Sequence, residues 1–276
     1  MSLRGVAQQT LEILEQGGYS ASDGSFVELA ADVEAAVAGT LLYTPRQLDA
    51  LLRGREGGGA RARIEVTGEL TQEAARRLIH DEGCEDLVLL NFASAKNAGG
   101  GFINGAKAQE EDLARASALY PCLLEAREYY EANRNCDHLV YTDHMIWSPA
   151  VPFFRVHPRE LLDRPFLASV ITAPAPNALA LEREWPAELS GLDYEHVLRQ
   201  RAGKLLALAE ERGHRTLLLG AWGCGVFRND PELVADAFGR WLEGSRFAGS
   251  FDRVVFAVWD RKGTNTEAFV RRLGGS

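Results

Sequence analysis

Three stretches of this chain repeat one arrangement: a short apolar run, a polar or glycine-rich loop at its end, and then a helical pattern. The runs are Leu87–Phe92, Thr216–Gly220 and Val254–Trp259. Strands alternating with helices predict an α/β fold. In open sheets of that class ligands bind outside the strand ends, so the loops after these runs are the first place to look for a site.

Other segments fit the same alternation. Strand Ile64–Val66 precedes a helix over Thr71–His80, and a long helix is expected from Gln109 to Asn133. His138–Trp147 and Phe153–Val156 read as a strand pair turning around Ser148-Pro149-Ala150-Val151-Pro152, followed by strand Leu167–Ala173, which Pro174 and Pro176 end. Helices are expected over Tyr194–Arg212, over Pro231–Leu242 with Asp230 as N-cap, and over Thr266–Leu273. Before residue 61 the periodicity is helical throughout, at Leu11 and Leu14, at Leu29, Val33 and Val37, and at Leu48, Leu51 and Leu52. Residues 1–60 are therefore expected to be a helical N-terminal extension packed on the core, ending in a flexible Gly57-Gly58-Gly59 loop, and residues 61–276 the α/β domain.

A chain of 276 residues, 46% hydrophobic and 25% charged, suits a soluble globular protein. No run approaches the roughly 18–20 apolar residues that cross a bilayer, and the start has no apolar stretch with a small-residue cleavage site. A cytoplasmic, monomeric protein with no membrane partner is expected. Cys84, Cys122, Cys136 and Cys224 form no C-x-x-C pair and are too sparse for a disulfide scaffold. The net charge of −9 works against non-specific attraction to nucleic acid. A phosphate ligand would have to be held locally, by backbone N–H groups at turns and helix starts.

Two loops supply such groups. The first runs from Asn91 at a strand end through Asn97 into Gly99-Gly100-Gly101, and Gln109-Glu110-Glu111 follows at a helix start. Glycines there admit close approach of a ligand. The bare triplet also reads as a linker, as Gly57-Gly58-Gly59 does. The carboxylates also read as first-turn acids that complement the helix dipole, which works against a general acid until a bound diphosphate and exclusion of water offset it. The second loop, Gly220-Ala-Trp-Gly-Cys-Gly-Val-Phe-Arg-Asn, is an anion nest or an ordinary βα connection. It lacks the G-K-[ST] of a Walker A loop. Cys224 lies between Gly223 and Gly225, but Trp222 and Val226 stand where a nucleophile elbow needs glycine, so a small apolar filler is the better reading. The histidines His80, His138, His144, His157, His196 and His214 form no metal motif, and neither a metal nor another cofactor is expected. His144 beside Asp143 reads as structural.

Gly99-Gly100-Gly101, seven further residues and then Gln109-Glu110-Glu111 is similar to the GGG…QEE signature of poly(ADP-ribose) glycohydrolases. NFASAKN, GGGF, AQEE and ARASALY resemble the microbial branch, and the Gly220–Asn229 loop resembles the family's diphosphate-binding loop. Matches extend from Asn91 to Asp260. The resemblance implies a macrodomain-like mixed central sheet sandwiched between helices, and hydrolysis of ribose–ribose O-glycosidic bonds to release ADP-ribose. It implies Glu111 as the acid–base group, Glu110 on ribose hydroxyls, Asn97 and Gly99–Gly101 around the terminal ribose, and Gln109 in the same motif. Gly223, Cys224, Gly225, Val226 and Phe227 would bind the diphosphate. Ala98 stands where the family pattern leads one to expect proline. Partners implied are poly(ADP-ribose), ADP-ribose and ADP-ribosylated proteins, in the DNA damage response.

The chemistry of the pair agrees with this. Ordinary glycosidases set two carboxylates about 5 Å or more apart on either side of the bond, whereas consecutive residues diverge, which leaves one carboxyl to protonate the leaving oxygen and then activate water. Alternatives from other classes are an ADP-ribose reader without turnover, a hydrolase of mono-ADP-ribosylated substrates and a Cys224 amidohydrolase. By the strand-end rule, Asp260–Thr266 should line the cleft mouth, with Thr266 starting the last helix.

Overall fold

The apolar runs become the inner strands of a mixed seven-stranded sheet. The computed structural model describes residues 1–54, 57–137, 140–158, 160–184 and 193–274. The N-terminal segment holds α1 (Leu3–Gln16), the hairpin β1 (Gly18–Ser20) and β2 (Phe26–Glu28), α2 (Ala30–Ala38), β3 (Leu41–Tyr43) and α3 (Pro45–Leu52). Next come β4 (Arg63–Thr67), α4 (Thr71–Arg76), β5 (Leu87–Phe92), α5 (Gln109–Ala116), α6 (Leu119–Glu125) and α7 (Arg127–Arg134). The remainder is β6 (Met145–Arg155), β7 (Leu161–Ala173), α8 (Ala178–Glu184), α9 (Tyr194–Glu211), β8 (Thr216–Leu219), α10 (Pro231–Glu243), β9 (Arg253–Ala257) and α11 (Thr264–Leu273). No helix among the described residues is long and apolar enough to cross a membrane.

Sheet order is β3-β6-β7-β5-β8-β9-β4. Strands β7, β5, β8, β9 and β4 run parallel, while at one edge β6 pairs antiparallel with β7 and β3 antiparallel with β6. β5 is central and buried on both faces. Its odd residues Leu87 and Leu89 pack with Leu113, Leu119 and Tyr129, and its even residues Val88 and Leu90 pack with α9 and α10. Chain connections diverge to opposite sides of β5, so its C-terminal end is the switch point at which an open α/β sheet leaves a crevice.

Several sequence expectations are corrected. The N-terminal segment contains three short strands besides its helices, and β3 joins the main sheet by pairing with β6. Gly57 and Gly59 are packed rather than loose: the Gly57 N–H donates to the Ser245 carbonyl at 3.0 Å, and a Cβ on Gly57 would lie 2.3 Å from the Ala248 carbonyl oxygen. The helix expected over Gln109–Asn133 is three helices. Pro121 has no N–H to continue the ladder, and Ser117 and Ala118 turn out to meet β6, where the Ala118 N–H donates to the Pro152 carbonyl at 3.0 Å. The expected turn at Ser148–Pro152 is a bulge within one strand, with Ala150 at φ 42° and its N–H donated to Ser169 Oγ at 3.2 Å. Strand His138–Trp147 begins at Met145, and His138 itself lies outside the described residues. The last helix begins at Thr264, not Thr266.

One glycine in the middle of α9 has a packing reason. A Cβ on Gly203 would lie 2.5 Å from the Trp241 ring, whose Nε1 is held by the Arg199 carbonyl at 2.7 Å. Gly203→Val should therefore cost about 1–3 kcal/mol through overpacking. That loss should be read as a lowered urea midpoint; an unchanged midpoint would mean that the indole yields freely.

Candidate active site

The end of β5 positions the first loop. Asn91 is buried, and its Nδ2 donates to Thr172 Oγ1 on β7 and to Glu110 Oε1, both at 3.2 Å. The Ser94 N–H donates to Glu110 Oε2 at 2.7 Å. Gln109 clasps the same strand end: its Oε1 accepts the Phe92 N–H at 2.8 Å, and its Nε2 donates to the Leu90 carbonyl at 2.8 Å and to Thr71 Oγ1 at 3.2 Å. Gln109 thus lines the cleft with an amide already committed to the scaffold.

Ser94 Oγ accepts the Asn97 N–H at 3.1 Å, and the Asn97 carbonyl accepts the Gly100 N–H at 3.0 Å, which folds the loop into a tight turn. Gly99 and Gly100 both have positive φ, 66° and 58°, a conformation that side chains rarely tolerate. A Cβ on Gly100 would lie 2.4 Å from Glu111 Oε1 and 3.2 Å from Glu110 Oε2. The two carboxyl groups therefore converge on one glycine. Glu111 is only partly buried, and its Oε1 accepts the Gly101 N–H at 2.9 Å.

The two acids differ in surroundings. Glu110 is 2% exposed, and burial pushes its carboxyl up to about 8, outweighing the N–H of Ser94 and the amide of Asn91, which favour the charge. Glu111 faces the cleft.

Opposite lies the Gly220–Asn229 turn. Trp222 is fully buried and donates through Nε1 to the Ala173 carbonyl at 3.1 Å, anchoring the turn beside β7. Gly223 has φ 74°, and a Cβ there would lie 2.4 Å from Asn229 Nδ2 and 2.6 Å from the Ala175 Cβ. The backbone demand for glycine thus falls on Gly223, whereas a Cβ on Gly225 meets open space. Among the described residues, the N–H groups of Gly225, Val226 and Phe227 have no protein acceptor, leaving them free for an anion. Val226 is 69% exposed.

The turn rests on a buried cation. Tyr141, itself at φ 60°, lies with its ring centroid 6.2 Å from that of Phe227. Arg201 donates to the carbonyls of Val140, Tyr141 and Pro174 at 2.8, 3.2 and 3.0 Å, and to Asp143 Oδ1 at 2.6 Å. Burial alone would raise the Asp143 carboxyl, but Arg201 and Lys204 hold it below the usual range. His144 is thereby left with Thr142 Oγ1 as its near partner at 2.8 Å.

Between the two loops lies a cleft of about 1250 Å³. Of the residues inferred from the sequence, it brings together Glu110, Glu111, Asn97, Gly100, Gly101 and Gln109 on one side and Gly223, Gly225, Val226 and Phe227 on the other. Gly99, Cys224 and Thr266 are not in its lining. Gly99 abuts the Phe102 ring, and burial pushes the Cys224 thiol up to about 12, which disfavours the thiolate an amidohydrolase needs. Thr266 donates its hydroxyl to the Val258 carbonyl at 2.9 Å, and its neighbour Asn265 reaches the cleft instead. Sequence reasoning missed Trp259, which follows the last strand, lines the cleft and is 60% exposed. Its signal was a large aromatic at a strand end, hidden by counting it as part of the strand. Also missed were Glu69–Gln72 after β4 and the run through Asn104 and Lys107.

Fold and cleft define a macrodomain-like α/β protein in which an acid pair faces a glycine-containing turn with free N–H groups. The family model "Microbial-type PARG, catalytic domain" matches residues 7–156, more than half of the chain. The structure is similar to that of poly(ADP-ribose) glycohydrolase from Thermomonospora curvata, at 47% identity and TM-score 0.91 over 98% of this chain and 99% of that one. The same enzyme bound to the inhibitor ADP-HPD matches at 47% identity and TM-score 0.90, with the same coverage of 98% and 99%. The Deinococcus radiodurans enzyme in complex with ADP-ribose matches at 45% identity and TM-score 0.81 over 90% of this chain and 98% of that one. No curated protein is a significant match. The chain belongs to the microbial-type poly(ADP-ribose) glycohydrolase family.

The burial of Glu110 carries a pH signature. The folded chain retains a proton there that the unfolded chain releases, so this group's contribution to stability is complete below about 4.5 and is lost as pH rises through about 8. Thermal melts of wild type and Glu110→Gln from pH 5 to pH 9 should shift in favour of the variant as pH increases. A difference that does not change with pH would contradict the raised value.

Proposed function

We propose that this chain hydrolyses the ribose–ribose O-glycosidic bonds of poly(ADP-ribose) and releases ADP-ribose, with Glu111 as the single acid–base group. The observation that carries the reading is the convergence of both carboxyl groups on Gly100, across one cleft from the free N–H groups of Gly225–Phe227. Family membership and the likeness to glycohydrolases with bound ADP-ribose and inhibitor support the same activity.

In this reading the diphosphate lies on the Gly223–Phe227 turn, and Phe227, backed by Tyr141, presses on the adjoining ribose. Trp259 offers a broad apolar face to the adenine at the far end of the cleft, as stacking on aromatic rings requires. Asn97 and the glycine turn enclose the terminal ribose. Glu110 takes hydrogen bonds with its hydroxyls, and the scissile oxygen comes to Glu111. Glu111 gives its proton to the departing ribose oxygen as the C1″–O bond breaks, and an oxocarbenium-like centre forms. Water then adds to C1″ while the Glu111 carboxylate takes up the water proton, which restores the acid. The raised value of Glu110 alone would nominate that residue as proton donor, but both of its oxygens face N–H donors in the interior, whereas Glu111 opens on the cleft. The proposal extends to a monomeric, cytoplasmic enzyme that trims ADP-ribosylated proteins in the DNA damage response; the free thiols of Cys84, Cys122 and Cys224 support a reducing compartment.

Glu111→Gln should lower turnover of poly(ADP-ribose) by roughly 10²–10⁴ while keeping ADP-ribose affinity near that of wild type. Release of free ADP-ribose from the polymer and calorimetric titration with ADP-ribose check the two halves. Near-normal turnover in this variant would remove Glu111 from the chemistry.

A further inference from the structure

Resting on the glycohydrolase reading, we propose that the cleft carries a second phosphate subsite, beyond Glu111 on the side away from the diphosphate turn, in which Lys107 holds the diphosphate of the penultimate ADP-ribose unit. A chain of contacts orders the cleft. Gly223 abuts Ala175 at the end of β7, and Gly220 abuts Phe92 at the end of β5. From there Asn91 and Ser94 lead to Glu110, and Glu111 lies on Gly101. A Cβ on Gly101 would lie 2.9 Å from Ala106 and 3.9 Å from Glu111 Oε1, and Gly105 in turn packs against the backbone of Arg4 at the start of α1. The loop that bears Lys107 therefore adjoins Glu111 on the cleft wall that faces the nest.

The chemistry of the polymer gives that order a meaning. The bond to be cut joins the terminal ribose to a ribose of the penultimate unit. With the terminal diphosphate on the nest, the leaving unit must pass Glu111 on the opposite side, and its 5′ phosphate lies one ribose ring from the breaking bond. Among the described residues lining the cleft, Lys107 is the one lysine or arginine. Its side chain is exposed and has no ion-pair partner among the described residues. Asp112, on the same stretch of chain, is already paired with Arg115 at 2.7 Å. On a chain of net charge −9, with Glu69 and Asp112 also at the cleft, an unpaired lysine here offsets repulsion of an incoming polyanion. Asn104, exposed beside it, adds a polar contact to the same flank.

The test compares two substrates with the same scissile bond: the ADP-ribose dimer, and ADP-ribosyl-adenosine, which lacks the penultimate diphosphate. Lys107→Ala should lower kcat/KM for the dimer about tenfold relative to the truncated substrate, and Lys107→Arg should restore most of that ratio. Wild-type kcat/KM on the dimer should also fall more steeply with added salt than that of Lys107→Ala. Equal losses on both substrates would place Lys107 on the terminal unit and overturn the proposal, as would no loss on the dimer. Wild-type enzyme that cleaved neither substrate would overturn the glycohydrolase reading itself and this proposal with it.

Discussion

The site hangs from one buried carboxyl group. Glu110 sits at the C-terminal end of the central strand, where Asn91 and the Ser94 N–H hold its two oxygens and tie β5, the glycine turn and α5 into one piece. Once Glu110 is fixed in that position, helical geometry sets Glu111 one residue further around α5, partly exposed over Gly101. The interior location of one acid thus determines the cleft-facing location of the other. Burying a carboxyl is costly unless it is hydrogen-bonded or neutral, and here both conditions operate: two N–H donors meet it, and burial favours its protonated form.

Glycine is required where these carboxyl groups converge for a different reason than at the opposite turn. At Gly100 a Cβ would collide with both acids, so the demand comes from the side chains that the loop must clear. At Gly223 the demand comes from Asn229 and Ala175, which pack the turn against the sheet. Gly225, between them and the open cleft, is constrained by neither, which leaves room for a ligand to approach its backbone closely. The buried hydrogen bonds behind the turn, from Trp222 to Ala173 and from Arg201 to Asp143, hold it at the cleft wall without a positive surface.

Much of this was legible in the amino-acid order. The strand-end rule located the cleft because the inner strands are short apolar runs followed by loops, and the glycine and QEE spacing marked one wall of it. Other features were not legible, for physical reasons that differ from one to the next. β3 is three residues long and shows its role only through pairing with β6. The break at Ser117 depends on hydrogen bonds to β6, although Pro121 in the sequence already forbade a continuous helix. The β6 bulge resembles a turn because Pro149 and Pro152 bracket it, and only the long partner β7 shows that the strand continues. Trp259 was hidden inside an apolar run, since nothing local separates the last strand residue from the first one beyond it. Lys107, on an exposed loop with no motif of its own, gains meaning only from the contacts that set its loop beside Glu111 on the cleft wall.

The central claim is that the two acids divide their work because one is buried in the scaffold and the other opens on the cleft. A crystal structure of this chain with ADP-ribose bound tests that division most directly. The account predicts the diphosphate on the N–H groups of Gly225–Phe227, the ribose 2″ and 3″ hydroxyls on Glu110, and the anomeric oxygen within hydrogen-bond reach of Glu111. A ligand bound with its terminal ribose away from Gly100, or with its anomeric oxygen on Glu110 and Glu111 turned to solvent, would contradict it.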